Sequence, residues 1–207
     1  MKKLVIVMLC LFTAASLKAQ TESGTIFVGG GFGFNNNKTE TVDGNATVGY
    51  NRSTTISVIP QVGFFIADNF AIGASVVYSS NTNEDIDGDL VKNSDLQFAP
   101  FARYYVPMTE LLSLYGQGSL GIGFRNSEVV VNNTTTDTGD GLVTSFGLSG
   151  GLAFFPTEKI NLNVGLSILT ISAVNTSIPN TNLETSNTNV NFGINSFAPF
   201  FSLNYFF

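Results

Sequence analysis

Three features of the sequence predict an all-β fold, an eight-stranded antiparallel up-and-down transmembrane β-barrel. First, eight segments alternate with period two between large apolar residues and small or polar ones. Second, the connections between these segments are alternately short and long. Third, beyond residue 20 no window approaches the length of apolar sequence that a transmembrane helix needs.

The alternating segments have two chemically different faces. In one of them Ile160, Leu162 and Val164 share a face opposite Asn161 and Asn163, because successive side chains of a strand point to opposite sides. In every segment the face opposite the large residues is rich in Gly, Ser, Asn and Gln. This pattern is typical of strands that turn aliphatic side chains toward lipid and small or polar ones toward a lumen. The predicted strands are 25–34, 54–65, 70–79, 94–105, 112–125, 142–155, 160–171 and 188–207.

The lengths of the connections predict which end of the barrel faces outward. Three connections are short, at 66–69, 106–111 and 156–159, and the others are long and polar. Short periplasmic turns and long extracellular loops are the usual layout of such barrels. The four predicted polar loops are 35–53, 80–93, 126–141 and 172–187. Aromatic residues beside the short turns predict a girdle at the periplasmic interface: Phe64, Phe65, Phe70, Tyr104, Tyr105, Phe154, Phe155 and 205–207.

The last eleven residues, 197–207, carry a large apolar residue at nearly every second position and end on a phenylalanine. This segment resembles the C-terminal assembly signal of bacterial outer-membrane β-barrels. The resemblance implies that the barrel-assembly machinery recognises Phe201, Leu203, Tyr205 and Phe207. In its overall pattern the chain resembles the small eight-stranded OmpA/OmpX-like outer-membrane barrels, many of them porin-like, and this implies a place in the outer membrane of a Gram-negative envelope. A soluble periplasmic sandwich is the alternative, disfavoured because a free apolar edge strand invites aggregation.

The last predicted strand changes phase along its length. Val190 and Phe192 occupy even positions, whereas the apolar residues from Phe197 onward occupy odd ones. We therefore predict a β-bulge near Asn195 and Ser196, because one extra residue restores the face.

The first nineteen residues have the features of a cleaved signal peptide. Lys2 and Lys3 precede an apolar run over 4–15, which is too short to span a membrane, and we place the cut after Ala19. Residues 20–207 would then form the barrel domain. Cys10, the only cysteine, would leave with the signal peptide.

The composition argues against catalysis and against nucleic acid as a partner. The chain has no histidine, so nucleophile systems that need His, and His-based metal sites, are not expected. Without Lys2, Lys3 and Lys18, six basic residues face fifteen acidic ones, a net charge of -9. We expect neither an enzyme nor a bound cofactor.

One acidic segment resembles the start of a calcium loop. Asp85, Asp87 and Asp89 have the right spacing, but Leu90 stands where the loop needs glycine and Leu96 where it needs glutamate. A solvated acidic loop is the preferred interpretation.

The predicted lumen holds three charged residues, Asp95, Arg103 and Arg125. Pairing about the turn at 107–111 places Asp95 opposite or diagonal to Arg125, and Arg103 beside Tyr115 and Gln117. Since a lone buried charge is costly, we predict an Asp95–Arg125 ion pair, with Arg103 held by uncharged acceptors or by a carboxylate from another strand. An eight-stranded barrel has room only for its own side chains, so these residues would form a packed polar interior.

The sequence favours a non-enzymatic outer-membrane protein, and the expected partners are membrane lipid, the assembly machinery and an unidentified surface ligand. It would be a monomer that presents four polar extracellular loops for envelope integrity or surface interaction. A narrow porin or solute channel is the first alternative, and a lipid-acting outer-membrane enzyme is the second. Fold alone does not choose among these roles.

Overall fold

Nine β-strands make up the part of the chain that the structure describes. In this computed structural model the described residues are 21–43, 46–132, 134–177, 184–193 and 200–207. Among them there is no helix long and apolar enough to cross a membrane. The strands are β1 (Ile26–Asp43), β2 (Ala46–Ala67), β3 (Phe70–Asp85), β4 (Leu90–Pro107), β5 (Leu112–Val131), β6 (Thr134–Thr157), β7 (Ile160–Ser177), β8 (Glu184–Phe192) and β9 (Phe200–Phe206).

The strands close into an antiparallel barrel. From β1 to β7 each strand pairs with the next along the chain. The ring closes through β9, which pairs with β1 on one side and with the first part of β7 on the other. β8 pairs with the second part of β7, so β8 and β9 share the eighth position. The predicted eight-stranded up-and-down barrel is thus confirmed, whereas the predicted bulge near Asn195 and Ser196 lies outside the described residues.

Side-chain burial follows the alternation that the sequence shows. On β7, Leu162 and Val164 are exposed on the outer wall, whereas Asn161 and Asn163 are buried in the lumen. A bulge near Ile168, where the register with β6 shifts, then changes the phase of β7. The outer apolar band covers roughly the nine to eleven residues that a tilted strand needs to cross lipid, for example from Leu96 to Val106 on β4.

In their described residues the four long polar segments are mostly strand, and their prediction as loops was wrong. β2 has 22 residues and β6 has 24, so both continue well beyond the apolar band. Polar composition suggested loops, but threonine is β-branched and favours strands, and facing polar side chains bond across them. For example, Asn36 Nδ2 donates to Thr54 Oγ1 at 2.8 Å. These segments therefore form polar β-hairpins, and we call this side of the barrel the hairpin end.

The opposite side, the short-turn end, contains an apolar core that the sequence analysis missed. The predicted interior was small or polar, and the aromatic residues near the short turns were all assigned to the outer girdle. Because neighbours on a strand point to opposite faces, only alternate ones can lie outside: Phe64, Tyr104 and Phe154 do, while Phe65 and Tyr105 point inward. We call the buried rings the aromatic cluster; its members are Phe27, Phe65, Phe101, Tyr105, Tyr115, Phe155 and Phe206.

Candidate functional site in the barrel lumen

Glycines make room for the aromatic cluster inside a narrow barrel. Cross-strand pairing sets Phe27 opposite Gly63, Gly63 opposite Gly73, and Gly73 opposite Phe101. A Cβ on Gly63 would collide with the Phe27 ring, and one on Gly73 with the Phe101 ring and with backbone. The ends of these rings therefore occupy the space that a side chain at Gly63 or Gly73 would need. The rings also pack against other members of the cluster, with Phe27 and Phe206 at 5.7 Å between centroids. The result is a filled lumen at the short-turn end.

Arg103 lies among the rings of this cluster and is 2% exposed. Its Nε donates to Gln117 Oε1 at 2.7 Å, and its Nη2 donates to Gln61 Oε1 at 3.0 Å. Its Nη1 donates to Tyr105 Oη at 3.1 Å. All three acceptors are uncharged, which matches the first of the two arrangements predicted for Arg103.

Aromatic rings surround the Arg103 guanidinium. Its Cζ lies 5.2 Å from the ring centroids of Phe101 and Tyr115. Phe27 and Tyr105 are within 5.7 and 5.9 Å. Ring faces carry negative partial charge and attract a cation, so these contacts offset part of the desolvation of the guanidinium.

A chain of side-chain amides leads from Arg103 to the closing strand. Gln61 Nε2 donates to Asn204 Oδ1 at 2.7 Å, and Asn204 Nδ2 donates to Asn161 Oδ1 at 2.8 Å. Asn163 Nδ2 donates to Ser202 Oγ at 2.9 Å. The network thus joins β2 and β7 to β9. Asn161 Nδ2 and Asn163 Oδ1 are the amide atoms in it that have no partner among the described residues.

The amide chain crosses β1 at Gly29. Gly29 pairs with Gln61 on one side and with Asn204 on the other, so the Gln61–Asn204 hydrogen bond passes over its backbone. A Cβ at this position would collide with Asn204 Oδ1 and with the backbone oxygen of Leu203. Only glycine leaves room for this bond.

A cavity of about 240 Å³ lies next to Arg103, toward the hairpin end. Gln61 and Gln117 border it together with Arg103, so the cavity begins where the amide network ends. Apolar residues, among them Ile59, Phe146 and Phe200, form much of its wall. The serines and threonine that line it are Ser75, Ser119, Ser145, Ser149, Ser167, Thr170 and Ser202.

Asp95 and Arg125 form a two-point ion pair at the edge of the apolar band. The two residues are directly opposite on β4 and β5. Arg125 Nε donates to Asp95 Oδ1 at 2.6 Å, and Arg125 Nη2 donates to Asp95 Oδ2 at 2.7 Å. This is the pair that the register predicted, with the fork geometry that arginine and carboxylate favour. A cavity of about 700 Å³ borders the pair at the hairpin end, beside Asp140 and Asn175.

The acidic segment on the β3–β4 hairpin forms hydrogen bonds within its own turn. Asp85 Oδ1 accepts the backbone N–H groups of Asp87 and Asp89, both at 3.0 Å. Within the described residues no group of three or more acidic, histidine or cysteine side chains is placed to hold a metal ion. Asp85, Asp87 and Asp89 therefore do not converge on a common point.

The closing strand β9 presents two different faces. Phe201, Leu203, Tyr205 and Phe207 are exposed on the outer wall, as the alternation predicts. Ser202, Asn204 and Phe206 are buried in the lumen. The backbone N–H of Phe207 also donates to the Ile26 carbonyl oxygen at 2.9 Å, which extends the contact with β1. Recognition of the outer residues during assembly remains a prediction.

The family model described as "outer membrane protein beta-barrel domain" matches residues 4–195. The chain belongs to this family. As an outer-membrane β-barrel protein, it shares the lipid-facing wall and closed sheet described above. No curated protein matches the sequence. Among solved structures, the outer membrane protein OprG from Pseudomonas aeruginosa matches with 15% identity and a TM-score of 0.43, over 91% of this chain and 98% of that one.

The sequence did not identify several residues of the lumen network in this outer-membrane β-barrel protein. Asp95, Arg103, Arg125, Tyr115 and Gln117 were assigned to the lumen and lie there. Gln61, Asn204 and Ser202 were not singled out, although each stands on the inward phase of its strand. Their neutral side chains give no signal in sequence that distinguishes a bonded network from a generally polar wall.

Proposed function

We propose that this outer-membrane β-barrel protein is a non-enzymatic monomer that displays four polar β-hairpins outside the cell, for envelope integrity or surface interaction. It would contact outer-membrane lipid through its apolar band and reach the membrane through the barrel-assembly machinery. Export would use a signal peptide over residues 1–19.

The aromatic cluster is the observation that carries the proposal. Phe27, Phe65, Tyr105 and Phe206 are almost fully buried across the lumen at the short-turn end. Arg103 and the two glutamines that it bonds, Gln61 and Gln117, fill the lumen next to these rings. Side chains in protein interiors pack too densely for a solute to pass between them without rearrangement. This supports a closed barrel over the channel alternative.

Planar-bilayer recording tests whether the barrel is closed. The refolded chain should give no current above that of a lipid bilayer alone, while an open porin in the same chamber gives discrete steps. Stable single-channel steps from the purified wild-type protein would contradict the proposal and favour the channel alternative.

Cysteine labelling on whole cells tests which end faces outward. Ile86→Cys lies in the β3–β4 turn and Glu158→Cys in a short turn, and both native residues are exposed. A membrane-impermeant maleimide should label Ile86→Cys in intact cells and Glu158→Cys only after the cells are opened. The reverse pattern would mean that the hairpins face the periplasm.

A further inference from the structure

Arg103 is a buried cation that has no charged partner among the described residues. The two salt bridges within the described residues are Asp95–Arg125 and Lys38–Glu40, and neither involves Arg103. Arginine keeps its charge in proteins, so Arg103 cannot become neutral to avoid the cost of burial. The rings and amide oxygens around it reduce that cost, but none of them carries a full negative charge.

Two N–H groups of the Arg103 guanidinium have no acceptor among the described residues. A guanidinium carries five N–H groups, and the bonds to Gln117, Tyr105 and Gln61 use three of them. The other two donate to no described residue. Because Arg103 borders the 240 Å³ cavity, an acceptor in that cavity is within reach of this side chain.

Hydroxyl groups elsewhere on the cavity wall add neutral donors. Arg103 pairs across the sheet with Gln117, and Gln117 with Ser149, so these positions form a row over β4, β5 and β6. The hydroxyls of Ser149 and Ser119 bond to no described residue, and Ser202 Oγ accepts from Asn163, which leaves its own hydrogen to donate. None of the residues that line this cavity carries a negative charge.

We propose that this cavity binds one small oxoanion, of the size of formate, acetate or phosphate, against Arg103. A guanidinium and hydroxyl donors match an oxoanion, whose oxygens accept several hydrogen bonds, and charge-assisted bonds of this kind are the strong ones. A metal cation would face the Arg103 charge with no carboxylate to hold it. The volume suits an anion with a few waters, since water takes about 30 Å³ each in the liquid. Anion binding at this site would be a further property, beyond the proposed display of the hairpins. It does not require the anion to pass through the barrel.

Formate labelled with ¹³C is the probe for this site. The full chain is refolded in zwitterionic micelles, and formate is titrated at constant ionic strength with a bulky buffer anion as the other salt. The wild-type protein should broaden the formate resonance in a saturable way that unlabelled formate reverses. Arg103→Gln should weaken binding by roughly tenfold or more, since it removes a charged hydrogen-bond donor.

Two further variants separate the site from general effects. Ser149→Leu fills the cavity without changing charge and should also abolish binding, which keeps the test decisive if Arg103→Gln does not fold. Arg125→Gln removes the guanidinium that Asp95 already neutralises and should leave binding intact. Absence of saturable binding by folded wild-type protein would overturn the proposal and leave a water-filled cavity. Unchanged binding by a folded Arg103→Gln or Ser149→Leu variant, or its loss in Arg125→Gln alone, would overturn it as well.

Discussion

At the scale of the residue, a few polar and glycine positions determine how the lumen is filled. Asp95 and Arg125 neutralise each other at the border of the apolar band, and both side chains are partly buried. Gly29 allows Gln61 and Asn204 to bond across β1. Each of these features depends on a single atom or group, and a point substitution therefore tests it directly.

The Asp95–Arg125 pair predicts coupled effects on stability. Asp95→Asn should destabilise more than the double variant Asp95→Asn/Arg125→Gln, because it leaves a partly buried Arg125 without a counter-charge. We expect a coupling free energy of about 1–3 kcal/mol, between the values for exposed and buried pairs. Urea unfolding of the refolded variants measures it. Additive effects of the two single substitutions would show that the pair contributes nothing.

Gly29 and Gly30 form a matched pair of positions. Gly29→Ala should destabilise by about 1–3 kcal/mol, because its Cβ would displace Asn204 and the β9 backbone. Gly30→Ala points to the outer wall, where a new Cβ comes no nearer than 3.7 Å to its closest neighbour, and should be nearly neutral. Unfolding in urea compares the two, and equal losses would mean that crowding in the lumen is not the cause.

At the scale of the element, each strand has a lipid-crossing part and a part that projects beyond it. On β7 the outward residues from Ile160 to Ile168 are apolar. The parts of the strands at the hairpin end, such as 134–141 on β6, are polar. The same type of side chain should therefore contribute differently at different heights on the barrel wall.

Two valines of similar exposure test this difference in height. Val164 is 43% exposed within the apolar band, and Val131 is 40% exposed at the tip of the β5–β6 hairpin. Val164→Arg should cost about 2–4 kcal/mol in lipid, because arginine near the midplane loses its hydration. Val131→Arg should be close to neutral, since water surrounds it. Unfolding from lipid vesicles measures both, and similar costs would argue that Val164 does not face lipid.

At the scale of the whole molecule, the barrel exists only when β9 lies between β1 and β7. Its inward residues, Asn204 and Phe206, complete the amide network and the aromatic cluster. Its outward residues contact neither, so a role in assembly can be separated from a role in stability.

Phe207 offers that separation. It is 75% exposed and packs on Tyr205 at 4.9 Å between ring centroids. Phe207→Asp should lower the amount of assembled protein in the outer membrane far more than it lowers the unfolding free energy of refolded protein. Phe124→Asp, at a position 72% exposed on β5, is the matched control, and its level in cells should follow its stability. Normal outer-membrane levels of Phe207→Asp would contradict a role in assembly.

The sequence by itself determined the two-faced alternation of the strands, the closure of the sheet and the pairing of Asp95 with Arg125, but it did not determine the face of every residue. Period-two alternation fixes which side of the wall a residue occupies, and a short turn fixes the register of the two strands it joins. Only the tertiary structure decided which residues meet across the lumen, because that depends on the diameter and stagger of eight strands together. The Gln61–Asn204 bond over Gly29, the ring cluster and the cavity beside Arg103 all arise in this way. The polar hairpins were missed for a different reason: solvated strands and loops have similar composition, and the pairing between strands decides which of them forms.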